Sequence, residues 1–82
     1  MSKQLRSVKY VRTDVVFVTF NDDEARKIIE EISRRYKVIK AVRSKVVKEL
    51  YFVSIEGTAE GVEEYLRRDS VKWRKKDLVI FR

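Results

Sequence analysis

The order of apolar and polar residues divides the chain into segments with different periods. Over residues 15–20 β-branched and aromatic residues follow one another, and the pattern runs back through Val8, Tyr10 and Val11. This predicts a long first strand or a hairpin about Thr13-Asp14. Asn21 then carries a side chain suited to a helix N-cap, Glu24 stands at the capping-box position, and Asp22 and Asp23 place negative charge at the positive end of the helix dipole. Ala25, Ile28, Ile29, Ile32 and Tyr36 recur at steps of three and four while charged residues take the other faces, so the first helix is predicted over residues 21–36. Val38, Ile39, Ala41 and Val42 make a second strand, and Arg43-Ser44-Lys45 is a polar turn into a third, over residues 46–55. Gly57 ends that strand, Thr58 caps a short second helix over residues 58–69 with Val62, Tyr65 and Leu66 as its apolar stripe, and residues 71–82 form the last strand. Within it, Arg74-Lys75-Lys76-Asp77 reads as a hairpin turn or as a bulge in one edge strand.

The order β-α-β-β-α-β in 82 residues predicts one α+β domain spanning residues 1–82. Its expected architecture is the ferredoxin-like βαββαβ sandwich, a four-stranded antiparallel sheet with two helices on one face. The first and third strands then lie at the centre, and the side chains they turn away from the helices form the middle of the open face. Alternation separates Val16, Val18 and Phe20 from Val15, Phe17 and Thr19, and Tyr51, Val53 and Ile55 from Lys48, Leu50, Phe52 and Ser54. The sets that hold Thr19, Lys48 and Ser54 contain the polar residues and are expected to face solvent. Phe17, Leu50 and Phe52 then become apolar groups on an open face beside Lys48 and Lys40, and exposed groups of that size mark a contact surface.

Charge turns this surface towards a class of partner. Twenty Lys and Arg stand against thirteen Asp and Glu, a net charge of +7, which on so small a body attracts polyanions. The predicted helices hold six basic and nine acidic residues, and the rest of the chain fourteen basic and four acidic, so the positive charge is expected on the strands, the turn of residues 43–48, the basic run of residues 72–76, and Lys3, Arg6, Lys9 and Arg12. With no Cys and no His the chain holds no thiolate nucleophile, no Ser-His-Asp triad and no Cys/His zinc site, and no cofactor is expected. No apolar run approaches the roughly 20 residues of a membrane span. The opening MSKQLRSVKY lacks the apolar core of a secretory signal, which makes a cytoplasmic protein the expectation. Thermolabile residues are limited to Asn21, Gln4 and Met1, a composition that leans towards a hot environment.

Two stretches resemble the RNA-recognition motif. VFVTFN, residues 16–21, looks like the first ribonucleoprotein motif on that family's first strand, with Phe17 in the place of the aromatic that faces RNA. KELYFVSI, residues 48–55, is similar to the motif on its third strand, with Lys48 as the leading basic residue and Phe52 as the central aromatic. Glu49 and Tyr51 stand where that family prefers small residues, and Leu50 replaces an aromatic. Apart from the resemblance, exposed aromatics beside cations suit single-stranded nucleic acid, because unstacked bases lie on aromatic rings while Lys and Arg neutralise phosphates. The expected contacts are Phe17, Phe52 and Leu50 with Lys48, Lys40, Arg43, Lys45, Arg74, Lys75 and Lys76, with RNA or single-stranded DNA preferred over duplex. The same face could serve a homodimer or a protein partner, and the basic turn of residues 43–48 could meet duplex DNA. Asp22 and Asp23 offer carboxylates for a metal-dependent nuclease, but helix capping explains both, so no catalysis is expected. Trp73 reads as a core or interface filler.

Overall fold

A computed structural model of the protein describes residues 10–81. The chain runs through β1 (Tyr10–Thr19), α1 (Asp22–Arg35), β2 (Val38–Arg43), β3 (Leu50–Glu56), a single 3-10 turn (Val62–Leu66) and β4 (Val71–Phe81). The strands form one antiparallel sheet in the order β2-β3-β1-β4, so β1 and β3 are central, as expected. The fold is α+β with one α-helix, where two were expected.

The helix forms as its capping signals predict. Asn21 has extended backbone and its side chain accepts the Glu24 N–H at 3.0 Å, with three acids in the first turn and Arg34 and Arg35 in the last. Ala25, Ile28 and Ile32 are its buried positions, and they share one core with Val15 and Phe17 of β1 and Tyr51, Val53 and Ile55 of β3. The Phe17 and Tyr51 rings lie nearly parallel inside that core, with centroids 5.4 Å apart.

That placement overturns the expected facing of β1. Phe17 is 0% exposed, and the buried residues of β1 are Thr13, Val15, Phe17 and Thr19. The threonines misled because their hydroxyls are satisfied internally: Thr13 Oγ1 donates to the Gly57 carbonyl at 2.7 Å, and Thr19 Oγ1 accepts the Asn21 N–H at 3.2 Å. Inward facing costs neither of them a hydrogen bond. On β3 the expected facing holds, with Tyr51, Val53 and Ile55 buried and Phe52 exposed.

The second helix fails at Gly61, whose φ of 82° places a left-handed residue inside the expected segment. Val62 and Leu66 still reach the core from a turn of five residues, and Ala59 from the segment before it. Ion pairs hold that turn down: Arg68 bridges Glu24 and Glu31 of α1, and Lys76 of β4 meets Glu63. Two other boundaries move. β3 begins at Leu50, so residues 44–49 and Lys48 belong to the β2–β3 connection. Residues 74–77 are uninterrupted strand, and the register shift in β4 falls earlier, between Val71 and Trp73. The expectations for Val8, Lys3, Arg6 and Lys9 fall outside the described residues.

Two outcomes check this packing. Phe17→Ala should lower stability by about 3–5 kcal/mol in denaturant unfolding, whereas Phe52→Ala should change it by less than about 1 kcal/mol. The hydrogen bond from Lys76 holds the Glu63 carboxyl below the usual carboxylate range. A carboxyl whose folded value is depressed stabilises the fold above its unfolded value, and loses that contribution as pH falls through the folded one. Glu63→Gln should therefore lower Tm slightly near pH 7, by about 2 °C for an exposed pair, and the difference from the parent should vanish as pH falls through the depressed folded value of the Glu63 carboxyl.

Candidate nucleic-acid interface

The strand registers sort the side chains of the uncovered face into rows. Leu50, Val18 and Trp73 form one row across β3, β1 and β4, and Val42, Phe52, Val16 and Lys75 the next. Beyond these lie Lys40, Ser54, Asp14 and Asp77, then Glu56, Arg12 and Val79, and last Tyr10 with Phe81. The face thus has an apolar end carrying two aromatics, a polar waist and a second apolar end. At the waist Asp14 accepts from Ser54 at 3.0 Å and pairs with Arg12 at 2.8 Å.

At the first apolar end Phe52 is 39% and Trp73 50% exposed. They sit one row and two strands apart, which strand spacing makes about 12 Å between their backbones. Val16, Val18 and Leu50 fill the floor between them, half-buried. The sheet holds the two rings apart on separate strands.

The charges on the face itself cancel, since Arg12, Lys40 and Lys75 stand against Asp14, Glu56 and Asp77. The expectation of a positive sheet face is corrected accordingly. Cations instead flank the aromatic end. Lys45 and Lys48 lie on the β2–β3 connection, which is tied to the end of β1 by the Thr19 N–H donating to the Glu49 carbonyl at 3.0 Å. Lys72 and Arg74 lie on β4 beside Trp73, and Arg74, paired with Phe17, points to the helix side. Lys45, Lys48, Lys72 and Arg74 form no ion pair with any acid among the described residues.

No protein-family model, curated protein or solved structure significantly matches the chain.

Of the residues expected at the site, Phe52, Leu50, Lys40 and Lys75 share the open face, and Lys45 and Lys48 flank it. Phe17 is removed to the core. Arg43 turns to the helix side, where it pairs with Asp22 at 2.9 Å, donates to the Lys48 carbonyl and lies 5.4 Å from the Tyr51 ring centroid. Burial pushes the Tyr51 hydroxyl up, with Arg43 opposing and Asp22, its hydrogen-bond acceptor, adding to the rise. Lys76 is occupied by Glu63. The two carboxylates considered for a metal are likewise engaged, Asp22 by Arg43 and Tyr51 and Asp23 by Arg26 at 3.0 Å. No helix among the described residues is long and apolar enough to cross a membrane.

Trp73 is the functional candidate that sequence reasoning missed. The signal was present in its spacing: Trp73, Lys75, Asp77 and Val79 alternate with Arg74, Lys76 and Leu78, which sets Trp73 on one face once residues 74–77 are read as strand. Because Trp73 is the chain's single tryptophan, its fluorescence reports this directly. Emission in the folded protein should lie towards the solvent-exposed range, and acrylamide should quench it with at least half the efficiency seen after denaturation.

Proposed function

We propose that the protein binds single-stranded nucleic acid or RNA through the Phe52–Trp73 end of its open sheet face, without catalysis. The observation that carries this reading is that two separated aromatics lie exposed on one face with unpaired cations on both flanks. Bases would stack on Phe52 and Trp73 over the aliphatic floor of Val16, Val18 and Leu50. Lys45 and Lys48 on one side and Lys72 on the other would take the phosphates and release counterions, joined by Lys75 of the face as it exchanges its Asp77 partner at 3.6 Å for phosphate. A single strand suits the site better than a duplex, because paired bases do not present their faces to a flat sheet. We place the fold in the ferredoxin-like class, with its second helix reduced to one 3-10 turn. The RNA-recognition motif then supplies an analogy for Phe52 and Lys48 alone.

A second reading draws on the aliphatic floor, since Val16, Val18, Leu50 and Val42 also suit a second sheet packed face to face. The same variants separate the two. In fluorescence anisotropy with labelled single-stranded RNA and DNA, Phe52→Ala and Trp73→Ala should each weaken binding by about tenfold, at the loss of one stacked base. Log affinity should fall with log salt at about −0.7 per phosphate contact, and Lys48→Ala with Lys72→Ala should flatten that slope by about one unit or more. Unchanged affinity, accompanied by a fall from dimer to monomer, would assign the face to a subunit contact.

A further inference from the structure

The sheet has two edges, and they differ. β2 is six residues long, with a register shift between Val38 and Lys40 that breaks its regularity. β4 is eleven residues long, its irregularity lies at its start, and from Trp73 to Phe81 it pairs regularly with β1 and with no other strand among the described residues. A long, regular edge presents a row of backbone donors and acceptors to another strand. Its far end is also poorly covered: Leu78 and Ile80, on the helix side, are 52% and 49% exposed.

The sequence of this edge is complementary to itself in one register. A two-fold axis perpendicular to the sheet keeps each face on its own side, so the axis must pass through a residue of β4. Centred on Lys75, that residue would meet its own copy and Arg74 would meet Lys76, all like charges. Centred on Asp77, two carboxylates would meet, while Lys75 would face Val79 and Lys76 would face Leu78. Centred on Lys76, the midpoint of β4, each Lys75 lies opposite the partner's Asp77 and each Trp73 opposite the partner's Val79 on the open face. Each Lys75 also holds Asp77 of its own chain at 3.6 Å, so the two pairs join into one alternating cluster of four charges. On the helix side each Arg74 lies opposite the partner's Leu78, where its aliphatic stem can pack. Lys76 meets its own copy, but each ammonium already holds Glu63 of its own chain.

From this we infer that two copies of the chain join β4 to β4, antiparallel about a two-fold axis at Lys76, into one eight-stranded sheet. The partner's Val79 then extends the apolar floor beside Trp73, and two aromatic ends lie on one continuous face. The inference shares Trp73 and Lys75 with the proposed binding site but does not depend on it, because it rests on the pairing of the β4 edge and is read from dimerisation alone. The rival role for these residues is edge protection, in which Lys72, Arg74, Lys75 and Lys76 keep other strands away.

Light scattering across a concentration series, together with a single introduced cysteine, decides between them. The chain has no Cys, so Lys76→Cys creates the single thiol. In an antiparallel pair centred there, opposed Cα atoms lie about 4.5–5.5 Å apart, within disulfide range. Mild oxidation should therefore give a disulfide-linked dimer from Lys76→Cys and none from Lys40→Cys on the other edge. Lys75→Asp and Asp77→Lys, singly, should each weaken dimerisation at least tenfold, and the double exchange should restore it. A monomer at all concentrations would overturn the inference. So would a dimer that neither cross-links through Lys76→Cys nor responds to the single charge changes.

Discussion

The packing of one amphipathic helix onto β1 and β3 is the constraint on which the rest of this structure depends. Ala25, Ile28 and Ile32 need an apolar surface, and Val15, Phe17, Tyr51, Val53 and Ile55 supply it. Once those residues face the helix, the alternation of β-strands sends Val16, Val18, Leu50 and Phe52 to the other side. No second layer covers them among the described residues. The length of the helix sets a second limit. Fourteen residues of α1 rise about 21 Å, while the ten of β1 extend about 34 Å, so the sheet outruns its cover and leaves Leu78 and Ile80 exposed.

The net charge of +7 is distributed by the same architecture. Cations that could have opposed the fold are drawn into pairs that hold elements together: Arg68 with Glu24 and Glu31, Arg43 with Asp22, Lys76 with Glu63. The open face is neutral across its rows. Of the cations without an ion pair among the described residues, Lys45 and Lys48 on the β2–β3 connection and Lys72 at the start of β4 flank the exposed aromatics, whereas Lys27, Arg34 and Arg35 lie on α1 and Lys40 on β2. In the proposed reading this division gives each group one task. The flanking charges attract and hold the phosphates at long range, and the rings take the bases only on contact.

The helix, the central strands and the facing of β3 were legible in the sequence, because each rests on a local signal that the tertiary structure leaves alone. The Asn21 cap and the Ile28–Ile32 spacing are such signals. The facing of β1 was not legible. Thr13 and Thr19 look like solvent markers, and only the positions of the Gly57 carbonyl and the Asn21 N–H, set by the fold, reveal that their hydroxyls are satisfied inside. Gly61 carried a warning against the second helix, outweighed in the reading by the spacing of Val62, Tyr65 and Leu66. In β4 four consecutive charged residues resemble a turn, yet an edge strand tolerates charge on both faces when little packs on either. For that reason the candidate site was half legible: Phe52, Leu50 and Lys48 were found, Trp73 was passed over, and Phe17 was assigned to the wrong side.

The central claim is that the Phe52–Trp73 end of the open face receives a single-stranded nucleic acid. Amide and indole chemical shifts, followed by NMR as an unlabelled single-stranded oligonucleotide is added, test it most directly. The account predicts that the Trp73 indole and the amides of residues 16–18, 50–52 and 73–75 move together and saturate, while those of α1 stay in place. Shifts confined to residues 43–48 and the start of α1, with the Trp73 indole unmoved, would contradict it.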